Sequence, residues 1–395
     1  MPRPIKAVID LAALSHNLGR VRAHLSQATD SASHQNTRIW AVIKANAYGH
    51  GIEAAVQAFA AADGLAMLDF EEAVRCRQAG WQGPILMLEG FFDETDLELC
   101  VQLQLWPVVH DADQIATLQS WAANGSNPLS SMRVFLKLDT GMHRLGFTPQ
   151  TYTHAWTQLE ALRTQGRLLG ISHMTHFACA DSDEGLAPAL AVYTKVTEDL
   201  LADHCLANSA AIWRHAPQIV DGAVWQNATT STTQMPTSAT TTWVRPGICL
   251  YGASPFDDRR AQEDLRLLPA MTLESRVLQI STVAAGEGIG YGYKDRANQA
   301  MRIAVVACGY ADGYPRHAPA GTPVGTSAGI ASLIGRVSMD MLTVDITHLP
   351  NVQRGDPVIL WGQDGPSVDE VAKLSGTIGY ELLAGVTARV PRVVV

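Results

Sequence analysis

The chain has 395 residues, 47% of them hydrophobic and 17% charged, enough apolar material for two or three folded domains and the wrong balance for a disordered chain. Its net charge is -9 and it carries no basic tract, which argues against nucleic acid and anionic membrane as partners. The longest apolar runs, such as Ile303 to Cys308, are far too short to span a bilayer.

The opening, MPRPIKAVIDLAALSHNL, lacks the basic start, long apolar core and small-residue cleavage site of a signal peptide, so a cytoplasmic location is expected. A strand-like run, Ile39-Trp40-Ala41-Val42-Ile43, then ends on Lys44 and passes into a polar, glycine-bearing turn, Ala45 to Gly51. Two readings of Lys44 stand at this point. It is either a cation reaching solvent from a strand end, or a partly dried amine whose lowered pKa frees its lone pair for a Schiff base.

Helical spacing of apolar residues predicts helices over 52–62, 71–78, 95–103, 112–123, 151–163 and 189–202. Short apolar runs predict strands over 65–68, 85–88, 134–138 and 168–172. About eight such units in roughly 250 residues predict a (β/α)8 barrel over residues 1–253. An open sheet would want a GxGxxG turn after the first strand, and none is present.

Past Gly252 helical periodicity fades, and runs such as LESRVLQIST, MRIAVVACGYA, LTVDIT and DPVILWG are punctuated by glycine. This predicts a mostly-β domain over 254–395, with one short helix at 368–374 capped by Ser367. The segment 215–242, rich in Thr and Ser in its second half, and the polar stretch 29–37 predict exposed loops. Six scattered cysteines with no CxxC pair read as buried free thiols.

Strand C-terminal ends carry the chemistry in such barrels. In FLKLDTGMHRLGF, Lys137 and Asp139 share a strand face, and Arg144 follows the turn. Arg144 reads as a grip on a carboxylate or phenolate, or as part of a surface ion-pair cluster. In SHMTHFACAD, the spacing of His173 and His176 invites a metal; a ring packed on a flat ligand, or a structural histidine, are the other readings. ANSAA with Ser209 and WVRPGICLYG bring small residues to strand ends, where backbone N–H groups approach an anion or the chain packs tightly. GEGIGYGY exposes Tyr291 between glycines, and CGYADGYPR and GRVSMDMLTVD are two further glycine-and-polar patches.

In their order, AVIKANAYGHG, KLDTGMHRLG, THFA-A-D, ANSAA, VRPGI-LYG, the GYG tyrosine, GYADGYPR, GRVSMDM and RVPRV closely resemble the alanine racemase family, pyridoxal-phosphate (PLP) enzymes of fold type III. The resemblance covers nearly the whole chain and implies an N-terminal barrel followed by a β-domain. It implies that Lys44 forms the internal aldimine and that Tyr291 is the opposite base. By the same resemblance Arg245 faces the pyridine nitrogen and His176 packs against the ring. Tyr48, Ser209, the backbone of Gly247 and Ile248, and Tyr380 form the phosphate shell. Arg144 and the backbone at Met339 grip the substrate carboxylate, Tyr310 stands at the site entrance, and Lys137 is the carbamate candidate that positions Arg144. The segment before Arg245 and the stretch 29–37 are longer than the family pattern suggests.

The resemblance further implies racemisation of L- and D-alanine by Lys44 and Tyr291 acting on opposite faces, in a homodimer with composite sites, supplying D-alanine for peptidoglycan. An always-charged Arg245 at the pyridine nitrogen keeps that nitrogen unprotonated and disfavours transamination. Rival readings are a broader-specificity racemase or a catabolic alanine racemase on the same fold. A lone-barrel PLP carrier would stop near Gly252. A decarboxylase of basic amino acids would need a cysteine or acidic group for the distal amine.

Overall fold

The computed structural model describes residues 3–28, 37–123, 128–220, 240–258 and 263–395. The chain divides into two compact units: Leu18–Ala45 with Phe59–Gly247, and Met1–Asn17 with Asn46–Ala58 and Ile248–Val395.

The first unit is a closed barrel. Strand β1 (Lys6–Ile9) lies in the other unit, and the barrel runs β2 (Thr37–Val42), β3 (Gly64–Met67), β4 (Ile85–Met87), β5 (Leu105–Val109), β6 (Arg133–Lys137), β7 (Gly170–Met174), β8 (Asp203–Cys205) and β9 (Thr242–Val244). Each strand pairs in parallel with the next, and β9 returns to β2 with Thr37 opposite Thr242. The runs GLAM and ILM of β3 and β4 are buried throughout, as strands covered on both faces must be. Helices at Phe70–Gln78, Glu94–Gln102, Ala112–Ala123 and Pro149–Thr164 match the predicted spacing closely, while those starting at Ile52 and Ala187 end earlier than predicted, at Ala58 and Thr197.

Aromatic rings fill part of the barrel. Trp40 of β2 stacks on Trp243 of β9 (4.2 Å between centroids, 20° between planes) and meets Trp106 and Phe135 edge-on. Gly64 on β3 leaves room for this ring: a Cβ there would clash with the Trp40 ring carbons Cζ3 and Cε3. Arg38 lies over Trp243 and Arg133 over Trp106, and Arg133 pairs with Asp203 at 3.0 Å. Side chains alternate along a strand. Trp40, Phe135 and Trp243 therefore share their strand faces with Lys44, Lys137 and Arg245 further along the chain.

The second unit is built on an eight-stranded sheet. Its order is β13 (Met301–Val306), β16 (Leu342–Asp345), β15 (Gly329–Leu333), β14 (Pro323–Thr326), β17 (Pro357–Trp361), β10 (Met271–Val283), β1 and β18 (Arg392–Val394). Strand β13 also pairs with β10, which closes six of these strands into a ring. The N-terminal strand β1 is thus a sheet strand, antiparallel to β10 and parallel to β18. A short hairpin, β11 (Gly288–Ile289) with β12 (Asp295–Arg296), projects the Tyr291–Tyr293 turn. The helix Val368–Leu374 forms as predicted, with Ser367 Oγ accepting from Glu370 N at 3.0 Å.

Two expectations change. The loop predicted over 215–242 begins too early, because the helix Ser209–Val220 continues past His215 and buries Ala216, Ile219 and Val220. Residues 221–239 and 29–36 of the two predicted loops lie outside the described residues. A second short helix, Gly379–Gly385, was not predicted; glycine at both ends and no side-chain cap hide it.

Candidate active site

The C-terminal ends of the barrel strands gather basic side chains. Lys44 follows β2 directly, Lys137 ends β6, Arg144 lies in the next loop, and Arg245 follows β9. Lys137 and Arg245 are buried, Lys44 is half-buried and Arg144 is exposed. Burial, then the guanidiniums of Arg144 and Arg245, lower the Lys44 amine, against the opposing pull of Glu89. The same causes bring the Lys137 amine down to about 8: burial first, then Arg245 and Arg144, opposed by Glu89 and Asp139. Withdrawal of the charge from water is the larger cause of both shifts, and repulsion from the neighbouring guanidiniums adds to it.

Both terminal nitrogens of Arg245 are held by the protein. Its Nη2 donates to the carbonyls of Thr175 (2.7 Å) and Leu206 (2.9 Å), and its Nη1 donates to Cys205 Sγ at 3.1 Å. His176 Nδ1 lies 3.3 Å from Arg245 Nη2. Burial and the charges of Arg245, Arg144, Lys137 and Lys44 hold the His176 imidazole well below its ordinary value, so it is neutral and can accept from the guanidinium.

His173 goes elsewhere. It is fully buried, its Nε2 donates to Leu200 O at 2.7 Å, and its Nδ1 therefore accepts from Tyr152 OH at 2.8 Å. Trp156 stacks on it at 4.7 Å. That pattern makes His173 structural; both ring nitrogens are already spent on protein partners.

Arg144 is carried by a tightly closed loop. Phe147 N donates to Lys137 O (2.8 Å), Asp139 N donates to Phe147 O (2.9 Å), and the Asp139 carboxylate accepts from the backbone of Gly141 and His143. Ser209 opens the helix Ser209–Val220 and its Oγ accepts from Gly247 N at 2.9 Å. Asn208 Oδ1 accepts from Ala211 N, capping that helix, whose N-terminus favours an anion.

In the other unit Tyr48 is buried, stacked on Tyr251 (4.6 Å, 27°) and 6.0 Å from the Tyr380 ring. Ile248 is buried at the start of the turn Ile248–Tyr251. Tyr291 is 72% exposed at the hairpin tip, between Gly290 and Gly292, whose φ angles of 69° and 71° the turn requires. Tyr310 and Met339, also exposed, sit on two loops joined by Tyr310 N to Ser338 O and Ala311 N to Met339 O. Arg3 and Arg389 bridge both loops through Asp312 and Asp340.

The residues Lys44 to Tyr48 form a left-handed helical turn: φ is 56° at Ala45, 51° at Asn46, 54° at Ala47 and 51° at Tyr48. Sequence reasoning finds a turn there but not its hand. It also passes over Glu89, Cys205 and His50. Glu89 was the findable one, since it stands just past the end of β4 as Lys44 does past β2.

Family models agree with this architecture. The model described as alanine racemase, N-terminal domain, matches residues 9–255, and the one described as alanine racemase, C-terminal domain, matches residues 270–394. A relative from Bordetella petrii named alanine racemase is 52% identical over 393 residues, covering 99% of each chain. Among solved structures, a biosynthetic alanine racemase from Pseudomonas aeruginosa is 40% identical with a TM-score of 0.85, covering 100% of this chain and 99% of its own. The alanine racemase from Acinetobacter baumannii is 32% identical with a TM-score of 0.83, covering 100% of both chains. The chain belongs to the alanine racemase family.

Proposed function

We propose that the protein interconverts L-alanine and D-alanine, with PLP held at Lys44, as a homodimer in the cytoplasm that supplies D-alanine for peptidoglycan. The observation that carries this reading is the cation excess at the barrel mouth. Lys44, Lys137, Arg144 and Arg245 influence one another there, with Glu89 the main opposing carboxylate. Such a site calls for anionic ligands, and an amino acid carboxylate and a phosphorylated cofactor supply them.

The residues present fit PLP. The lowered Lys44 amine is poised to join an aldehyde. Ser209, beside Gly247 N at a helix N-terminus, together with Tyr48, Tyr380 and the backbone of Gly247 and Ile248, is assigned to the phosphate. Arg245 is assigned to the pyridine nitrogen; a guanidinium does not release its proton, so that nitrogen is not protonated by it. His176, neutral beside Arg245, is assigned to the ring face. Bound PLP supplies an electron sink that makes the α-hydrogen of an attached amino acid acidic.

The chain's own groups do the rest. Arg144 and the backbone at Met339 orient the substrate carboxylate, and Tyr310 narrows the approach. Lys44 Nζ exchanges a proton with the α-carbon on one face. Tyr291 exchanges one on the other, offered by one protomer to the site of its partner. Arg336 stands by the turn that carries Tyr291, its guanidinium 3.4 Å from where a Cβ on Gly292 would be. Exposed Tyr291, Tyr293, Tyr310, Met339 and Met341 offer a surface suited to a second copy. The change from one family model to the next between residues 255 and 270 supports a functional division near 253.

The test is chiral analysis of L-alanine incubated with purified protein, before and after borohydride reduction, with mass spectrometry of the Lys44 peptide. Racemisation, its loss on reduction and a pyridoxyl mass on Lys44 are expected. Racemisation without PLP would overturn the reading. A mixed dimer of Lys44→Ala and Tyr291→Ala chains should recover one working site, and no recovery would exclude the composite arrangement.

A further inference from the structure

We infer that His50 is a positioning residue that locks the left-handed turn behind Lys44, and that this lock sets how tightly the protein holds PLP. The inference rests on the proposed roles of Lys44 and Tyr48, which stand at the two ends of that turn.

Left-handed helix is disfavoured for L-residues because Cβ crowds the following carbonyl, and it occurs as single residues rather than as runs. Here four consecutive non-glycine residues adopt it, and of Ala45, Asn46, Ala47 and Tyr48 only the asparagine tolerates it well. Something must hold the segment. Main-chain bonds contribute: His50 N donates to Ala47 O (3.0 Å) and Gly51 N to Asn46 O (2.9 Å). The side chain of His50 doubles them. Its Nδ1 lies 3.0 Å from Ala47 O and 2.9 Å from Tyr48 O. Both acceptors are carbonyls, so Nδ1 carries the proton and donates to both.

The imidazole is 1% exposed, and burial brings it down to about 4, so it is a neutral Nδ1–H donor at physiological pH. Tyr251 backs the assembly, 4.7 Å from the His50 ring and stacked on Tyr48. Gly49 is obligatory between them: its φ is +81° and a Cβ would strike the Leu383 carbonyl. Arg392 Nε holds the Gly49 carbonyl at 3.1 Å. Relaxation of residues 45–48 toward right-handed or extended backbone would redirect the Tyr48 phenol. The sequence AYGHG thus encodes a phenol, a compact corner and the donor that holds the corner's hand.

Three PLP-loaded proteins test this: wild type, His50→Ala and His50→Asn. Asparagine offers an amide N–H near the Nδ1 position without the ring. The measurements are PLP loss on dilution, the fraction of Lys44 peptide carrying the pyridoxyl mass after borohydride, melting temperature, and kcat and KM for alanine. His50→Ala should lose PLP about tenfold to a hundredfold more readily, the effect of leaving the buried Tyr48 carbonyl without its side-chain donor and the Ala47 carbonyl with its backbone bond alone. His50→Asn should restore most of that affinity. Wild-type PLP retention in His50→Ala overturns the lock. So does an asparagine variant as weak as the alanine one, since ring packing would then be the cause.

Should His50→Ala fail to fold, the comparison moves to His50→Ala with Ala45→Gly, which eases the turn because glycine takes positive φ freely. Recovery of folded protein supports the lock, and continued failure counts against it. Wild-type protein without PLP on Lys44 would instead refute the functional reading itself.

Discussion

Replacing Lys137 by methionine should make the cofactor-free protein more stable in CO2-free buffer while lowering its activity. Methionine is an unbranched side chain one atom shorter than lysine, and it removes the charge. Burial, with Arg245 and Arg144, brings the Lys137 amine from 10.5 to about 8 in the folded protein. That difference is worth roughly 3 kcal/mol. The folded state binds the proton less tightly than the unfolded one, so the penalty is fully present below pH 8, where both forms are charged. It shrinks as pH rises from about 8 to 10.5 and is gone above that. Chemical denaturation at pH 7 should therefore show the variant ahead by roughly 2–3 kcal/mol, with the gap closing as the pH is raised toward that of free lysine.

Bicarbonate supplies the second arm. At pH 7.4 an amine titrating near 8 is neutral in about one molecule in five, against about one in a thousand for an ordinary lysine. Its nitrogen can then add to the carbon of CO2, releasing a proton and leaving a carbamate anion among Arg144 and Arg245. With 13C-bicarbonate the wild type should gain stability and a carbamate carbon resonance, and the methionine variant neither. A variant no more stable at pH 7, or a gap that ignores pH, would refute the picture of a charge held against its neighbours. A wild type with no carbamate signal would remove the carbamate alone.

Three further outcomes are expected. Gly64→Ala should cost roughly 1–3 kcal/mol, because its Cβ drives into the Trp40 ring; thermal unfolding followed by tryptophan fluorescence checks it. Asp312→Asn should raise KM for alanine more than it lowers kcat. The buried Asp312 carboxylate accepts from Gly309 N (3.0 Å) and pairs with Arg389 (2.9 Å) and Arg3 (3.3 Å), holding the loops of Tyr310 and Met339 together. Ser367→Ala should cost about 1 kcal/mol through loss of the cap on Glu370 N and leave kcat and KM unchanged, measured by denaturation and by steady-state kinetics.

The barrel is legible in the sequence because its strands are covered on both faces. GLAM and ILM have no reason to be uniformly apolar otherwise. The Ser367 cap is legible because the signal is local, a hydroxyl directly before a helical run. Strand β1 is not: KAVI would suit a barrel strand, and its partner β10 begins more than 250 residues later, at a distance no periodicity reports. The site divides in the same way. Lys44, Lys137 and Arg245 are readable as strand-end residues. The left-handed turn is not, since Ala45, Ala47 and Tyr48 all favour the opposite hand, and besides His50 its support comes from Tyr251 and Arg392, far off in sequence.

The left-handed turn lies where local preference is overruled, just after barrel strand β2. Toward the N-terminal ends of the strands two of the described cations have partners: Arg133 meets Asp203 and Trp106, and Arg38 lies on Trp243. At the C-terminal ends, cations crowd together with Glu89 opposing them, and the chain leaves β2 in a hand that costs roughly 1–2 kcal/mol per residue. A ligand that brings negative charge to these groups relieves the repulsion only in the folded state, and so stabilises the fold by mass action. The destabilising features and the binding energy are then the same thing seen without and with the ligand. Anion binding at the mouth should therefore raise the melting temperature of the wild type more than that of the Lys137→Met variant, which has less repulsion to relieve.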